Sequence, residues 1–321
     1  MQPTEVVIIG GGPAGSAAAR LLAGWGHDVL MIAGPPAARS LGESLPPSCG
    51  KLFDLLDLGN ALNASGSLTS TGNTVRWAGG DTRTELFADG ATGWQVDRVR
   101  FDAALREAAR TAGARIESDA VVREIARSEG HRETQVSWTG PDGQRETIDA
   151  AFVLDCSGRA GVVARRGFRV DDDARTTLAL TAIWRSSNGW PLREPSHTVV
   201  ETYGDGWAWS VPVNPTDRYV TVMVDPAVTD QQGEGLEIRY QGELAKTTAL
   251  NRLMVNASQH TAASGRDASV YHSVRYGEDR LLLVGDAASF IDPLSSYGVK
   301  KALASAWLAA VVVHSTLRDA A

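Results

Sequence analysis

Apolar and polar positions along the chain change rhythm several times, and each change predicts an element. Val6–Ile9 and Val29–Ile32 are short unbroken apolar runs, and between them lie the small residues Gly10–Gly15 and the apolar-rich stretch Ser16–Gly24. Apolar runs that short read as buried strands, so the chain opens as strand, turn, helix, strand. Cys49–Leu58 reads as a helix, after a loop from Arg39 to Pro47. Asp97-Arg98-Val99-Arg100-Phe101-Asp102 opens another helix, expected to run to about Ala112. Ile116–Ile125 and Val136–Trp138 predict strands, and Gly140-Pro141-Asp142-Gly143 is a hairpin turn. Phe152-Val153-Leu154-Asp155-Cys156-Ser157-Gly158 ends a further buried strand.

From Thr177 to Val224 strand-like runs dominate: Leu178–Arg185, Thr198–Thr202, Trp207–Val211 and Tyr219–Val224. They predict an antiparallel sheet of their own, followed by a helix over Glu234–Thr248. The chain re-enters the first domain at Leu281, and the apolar stretch Ala302–Val313 predicts a buried helix. The fold class is therefore α/β, a Rossmann-like nucleotide-binding domain with an inserted antiparallel β-sheet substrate domain. Residues 1–80, 97–176 and 276–321 are assigned to the first, and 81–96 and 177–275 to the second. A sheet inserted in this way places a ligand between two lobes.

Length and charge narrow the function. The chain has 321 residues, enough for two lobes around one large ligand. Lysines and arginines number 31 against 38 acids, a net charge of −7 without a basic tract, so nucleic acid is not an expected partner. Cys49 and Cys156 stand far apart, which supports neither a disulfide framework nor a metal site and fits a reducing, cytoplasmic setting. Val6–Ile9 is too short for a signal peptide and Ala302–Val313 too short for a membrane span. Most of the nine tryptophans are expected to fill the core.

Two glycine signatures carry the chemistry. In Gly10-Gly11-Gly12-Pro13-Ala14-Gly15, Gly10 serves a tight turn, Gly12 a close approach to pyrophosphate, and Gly15 helix–strand packing. The helix behind them turns roughly half a positive charge toward the phosphates. Leu281-Leu282-Leu283-Val284-Gly285-Asp286-Ala287-Ala288 repeats the strand-and-turn pattern near the other end, followed by Pro293 and Gly298. Together they point to a flavin. The acid that usually ends the second strand is absent, its place taken by Ala33-Gly34-Pro35, which weakens an ordinary NAD reading.

These turns, in this order and spanning nearly the whole chain, resemble the p-hydroxybenzoate-hydroxylase-like FAD-dependent monooxygenase superfamily. Gly42-Glu43-Ser44-Leu45-Pro46-Pro47 and Gly206-Trp207-Ala208-Trp209-Ser210-Val211-Pro212 resemble its tryptophan-halogenase-like branch. That branch needs a relay lysine in the segment that here reads Gly66 to Trp77, where Ser70 takes the place. Tryptophan halogenases also place a glutamate where Ser295 follows Pro293-Leu294. The remaining pattern, with the tail Pro293 to Leu303, is similar to flavoproteins that hydroxylate tryptophan in quinone-cofactor maturation.

The resemblance implies FAD as cofactor and hydroxylation of an electron-rich aromatic ring through a flavin C4a-hydroperoxide. The ring would belong to a small molecule or to a tryptophan-containing peptide or protein. Reduction would come from a separate flavin reductase or NAD(P)H. Halogenation, a reductase of the geranylgeranyl-reductase type and a non-catalytic flavin scaffold are the alternatives. The cofactor residues implied are Gly10, Gly12, Pro13, Ala14, Gly15, Arg39, Glu43, Ser44, Arg98, Val122, Asp155, Gly158, Gly285, Asp286, Pro293, Gly298 and Val299. Arg39 or Glu43 would help replace the missing ribose acid. Tyr297 and His272 are the candidates for proton transfer, and no metal is expected. The family's chains continue beyond the helix after the Gly-Asp turn, so its C-terminal helical region is expected to be missing.

Overall fold

The structure, a computed structural model, describes residues 3–36, 41–127, 133–171, 176–204, 206–228 and 234–319. Its first sheet places five strands in parallel, in the order Leu281–Leu283, Arg145–Asp155, Thr4–Ile9, Val29–Ile32 and Arg115–Glu117. Val6, Val7, Ile8 and Ile9 are buried on both faces, as a strand inside a covered parallel sheet requires. One face is covered by the helices Pro13–Gly24, Arg98–Thr111 and Gly298–Asp319. Small residues let two of these pack closely: Ala14, Ala17 and Ala18 on the first, Ala302, Ala306, Ala309 and Ala310 on the last. Arg98–Thr111 starts as its sequence predicts, with the Asp97 carboxylate accepting from the amides of Val99 and Arg100. It buries Phe101, Leu105 and Ala109, which share one helical face.

The predicted strand Ile116–Ile125 is two strands. Asp119 is left-handed (φ 56°), and the break sends Arg115–Glu117 into the parallel sheet and Val121–Arg127 into a hairpin with Thr134–Thr139. The helix expected over Cys49–Leu58 is likewise divided. A 3-10 turn, Pro47–Cys49, leads into Gly50–Leu55, and a second helix, Gly59–Ala64, follows left-handed Asp57.

The second large sheet runs Ser258–Gln259, Leu178–Arg185, Asp217–Val224, Gly206–Pro212, Thr198–Tyr203, Gly72–Arg76, Arg83–Leu86. Its strands come from the expected inserted region except Gly72–Arg76, which had been assigned to the nucleotide domain. That strand pairs parallel with Thr198–Tyr203, so the chain crosses into this sheet at Gly72. It returns with Gly93–Asp97, which lies between Gly42–Leu45 and Leu68–Ser70 in a three-stranded sheet. Leu180, Ala208, Val220 and Val222 face one side and pack under the helices Leu236–Ala245 and Ala249–Met254.

The tryptophans depart from expectation. Only Trp138 and Trp190 are buried; Trp25 is exposed, and the others are half-buried. Among the described residues no helix is long and apolar enough to cross a membrane, and no cluster of three or more ligating side chains could hold a metal.

Candidate cofactor and substrate site

The three glycine turns converge because their strands are neighbours in register. Ile9 pairs with Asp155 and Asp155 with Leu283, so the turns at Gly10, Asp155 and Gly285 leave one edge of the sheet side by side. That edge, at the carboxyl ends of parallel strands, is where open α/β sheets bind ligands. Gly10 is left-handed (φ 106°), and a β-carbon there would lie 2.4 Å from the Cys156 carbonyl oxygen. A β-carbon on Gly15 would lie 1.9 Å from the Gly10 oxygen. Gly12 differs: nothing lies within 4 Å of its β-carbon position. Two glycines are therefore demanded by the chain's own packing and the third leaves space on the ligand side. The helix behind Gly12 has Pro13 at its start, no side-chain cap and no acid in its first turn. These features fit a pyrophosphate seated on the amide groups.

The second signature closes on the first. Gly285 (φ 65°) has its β-carbon position 3.0 Å from that of Ala14, and its amide donates to Ser305 Oγ at 3.0 Å. Asp286 is half-buried and ion-paired to Lys301 Nζ at 2.9 Å. Lys301 lies in the first turn of Gly298–Asp319, whose start stands beside Asp286 with no acid in that turn. Glu43 lies there too, its Oε1 3.5 Å from the Gly298 β-carbon position. Pro293 begins a 3-10 turn capped by the Asp292 carboxylate; left-handed Ser296 follows and turns Tyr297 outward, 46% exposed. The Tyr297 hydroxyl is 3.5 Å from Lys300 Nζ.

Other expected residues divide. Arg98 and Glu43 meet at 2.8 Å, and Arg98 also forms a two-pronged pair with Asp102 at 2.9 and 3.0 Å. These carboxylates push its pKa up, although burial alone would lower it. Ser44 pairs with Gln95 across the small sheet. Val122 and Val299 pack their side chains on the cores, so only their backbone is free to meet a ligand. Gly158 (φ 63°) has open space at its β-carbon position, beside the Asp155 turn. Arg39 lies outside the described residues.

Two expectations are corrected. Asp155 is 0% exposed, and its carboxylate accepts from Ser157 N, Ser157 Oγ, Val163 N and Ala164 N at 2.5–3.1 Å. The side chain is spent on shaping its own turn, which leaves only the main chain to meet a nucleotide. His272 sits on Tyr271–Ser273, where alternation turns it outward while Tyr271 and Ser273 face in. It is exposed and points away from the face on which Tyr271 meets the Asp286 carbonyl.

Against Gly42–Leu45 stands the tryptophan sheet. Trp207 and Trp209 share the face that carries Tyr219, Thr221 and Met223 on the next strand. Tyr219 and Val213 touch the Gly42 position, so this face looks onto Gly42–Leu45 rather than into the core beneath the helices. The two indoles pack at 4.9 Å and 61°, half-buried. Ser70 is 1% exposed, and its hydroxyl donates to the Gly72 carbonyl at 3.0 Å. Cys49 is buried near Glu43 and Lys300, and desolvation pushes its thiol up to about 12, which makes it inert.

Three supporting residues escape a motif reading. Arg106 donates to the Gly11 carbonyl at 3.1 Å, Ser305 holds the Gly285 amide, and Tyr271 Oη donates to the Asp286 carbonyl at 2.6 Å. Arg106 and Ser305 lie on helices whose packing faces are legible, but the partner each one meets is set only by the tertiary fold.

Comparison with known proteins agrees with this geometry. The family model described as FAD binding domain matches residues 3–321. The flavin-dependent halogenase armH5 of Armillaria mellea is 28% identical over 342 residues, 99% of this chain and 65% of that protein. The tryptophan 2-halogenase of Chondromyces crocatus is 28% identical over 326 residues, 98% of this chain and 62% of that protein. The chain thus spans just under two thirds of the length of these two relatives. Among solved structures, the myxobacterial chondrochloren halogenase CndH aligns with a TM-score of 0.91 at 26% identity, covering 99% of this chain and 76% of that one. The flavin-dependent halogenase CmlS aligns at 0.87 and 28%, covering 98% and 58%. The chain belongs to the FAD binding domain family, with FAD as its cofactor, and it is similar to flavin-dependent halogenases.

Proposed function

We propose that this chain serves the FAD-dependent oxygenation of an electron-rich aromatic ring, and that the oxygen enters the ring as a hydroxyl group. Bound in its reduced form, FAD supplies the electrons that divide O2 between substrate and water. The chain's own groups do the rest. The Gly10–Gly15 turn and Asp286 hold the nucleotide at the sheet edge, and the Trp207–Trp209 face offers the substrate ring an apolar wall. Tyr297 holds a proton at its Oη for exchange with the substrate. A tryptophan side chain of a peptide, a phenol or an indole suits such a wall. Reducing equivalents come from a separate flavin reductase or from NAD(P)H.

The observation that carries hydroxylation is residue 70. The resemblance puts the halogenases' relay lysine there, and this chain has a buried serine bonded to its own backbone. The chain's four lysines stand elsewhere: Lys51 on an exposed helix face, Lys246 on Glu243, Lys301 on Asp286 and Lys300 beside Tyr297. Halogenation is the second reading, favoured by the names of the relatives. Product mass separates them. The protein receives reduced FAD, O2 and bromide with phenols, indoles and tryptophan-containing peptides. A gain of one or two oxygens supports hydroxylation; a bromine isotope pattern replaces it with halogenation.

A further inference from the structure

Tyr271 stands outside every signature of the cofactor site, yet it is buried against the Gly285–Asp286 turn. It is 4% exposed, and its hydroxyl bonds the Asp286 carbonyl. The Arg169 guanidinium lies 3.4 Å from its ring centroid, and the ring stacks with Phe290 at 5.9 Å and 22°. Arg159 lies over Phe290 in turn, at 4.1 Å. The Phe290 amide donates to Tyr271 O at 2.9 Å, the reverse bond measures 3.3 Å, and Ser273 Oγ donates to Ala288 O at 2.7 Å. The stretch after Gly285–Asp286 is thereby zipped onto Tyr271–Ser273. Burial pushes the Tyr271 phenol up to about 12, so it stays a proton donor to that carbonyl.

The same strand leads directly back to Ser264–Asp267, which pairs with Leu178–Arg185 in the tryptophan sheet. Arg159, one residue past Gly158, braces the connection. It donates to Asp267 Oδ2 at 2.8 Å and to the Ser269 carbonyl at 3.2 Å. A chain of bonded groups therefore runs from the Asp286 turn to the substrate sheet without leaving residues 264–273.

We propose that Tyr271 is a positioning residue that fixes the Asp286 peptide and couples occupancy of the FAD turn to the tryptophan sheet through residues 264–273. This rests on the reading of the turns as the FAD cradle. Filling the cradle immobilises the Asp286 turn, and the Tyr271 hydroxyl passes that order to the strand bonded behind it. Tyr271→Phe removes the hydroxyl and keeps the ring stack, so it tests the hydrogen bond alone.

The experiment is amide hydrogen exchange with and without FAD, on the wild type and Tyr271→Phe. The wild type should show slowed exchange at residues 10–15 and also over 264–273, by about fivefold or more, since local opening governs exchange there. In Tyr271→Phe the slowing at 10–15 should persist while that over 264–273 falls to less than about twofold. Equal slowing of 264–273 in both proteins would overturn the role of the hydroxyl. A wild type slowed at 10–15 but not over 264–273 would overturn the coupling, and this arm stands even if the variant fails to fold. FAD that leaves 10–15 unchanged in the wild type removes the cofactor reading and the proposal with it.

Discussion

The two faces of the site are built by different means. The cofactor edge is made of backbone: glycines that admit close approach, amides at helix starts, and turns fixed by strand register. The wall opposite is made of side chains, with Trp207 and Trp209 held half-buried on a sheet face whose reverse is the packed core. Backbone construction tolerates almost no substitution and serves one ligand. A wall of side chains can change its occupant by changing a few residues while the sheet behind it stays the same.

That contrast can be broken at its strongest point first. Gly15→Ala puts a β-carbon 1.9 Å from the Gly10 oxygen, where only backbone can yield, so it should cost about 3 kcal/mol or more and abolish FAD binding. A urea titration beside an FAD titration checks both, and a variant of wild-type stability would refute the packing role. Asp155→Asn comes next. It converts a four-fold acceptor into an amide whose NH2 must face at least one backbone donor in either orientation, for a loss of about 2 kcal/mol. The same titration reads it, with FAD affinity of the folded fraction changing less than stability.

The opposite wall should answer differently. Trp209→Ala is expected to leave FAD affinity within about twofold while substrate-dependent product formation falls about tenfold, since the residue sits on the second sheet and not on the strands that carry the glycine turns. Weakened FAD binding in this variant would mean the faces are not separable. The smallest effect belongs to His272→Ala. An exposed side chain turned away from the site should change stability by less than about 0.5 kcal/mol and leave product formation at wild-type rate. A tenfold loss would restore His272 as a proton carrier.

The same contrast explains what the sequence made legible. Gly10, Gly12 and Gly15 could be read with their separate tasks because each task is set by local backbone geometry and by neighbouring strands that the hydrophobic pattern reveals. The strands Leu178–Arg185 and Val29–Ile32 were bounded correctly for the same reason. The part Asp155 plays in its own turn has no signature, because its four donors come from residues two to nine positions away, along a path the pattern does not encode. The sheet that takes Gly72–Arg76 is not legible, because strand pairing across 125 residues leaves no periodic trace. Tyr271 carries no motif, since its hydroxyl partner is a main-chain carbonyl fifteen residues on, and main-chain carbonyls have no sequence signature. The size of a tryptophan predicts the core, yet Trp207 and Trp209 are only half-buried, on a sheet face whose neighbours the sequence pattern does not name.

The central claim is that the converging turns are one FAD cradle, and Gly12→Val tests it most directly. Gly12 has an extended backbone and nothing within 4 Å of its β-carbon position, so the variant should fold with wild-type stability to within about 1 kcal/mol. Equilibrium dialysis should show one FAD per wild-type chain and at least about thirtyfold weaker binding in the variant, because the new side chain occupies the pyrophosphate's approach. A folded Gly12→Val protein that binds FAD as the wild type does would contradict the account.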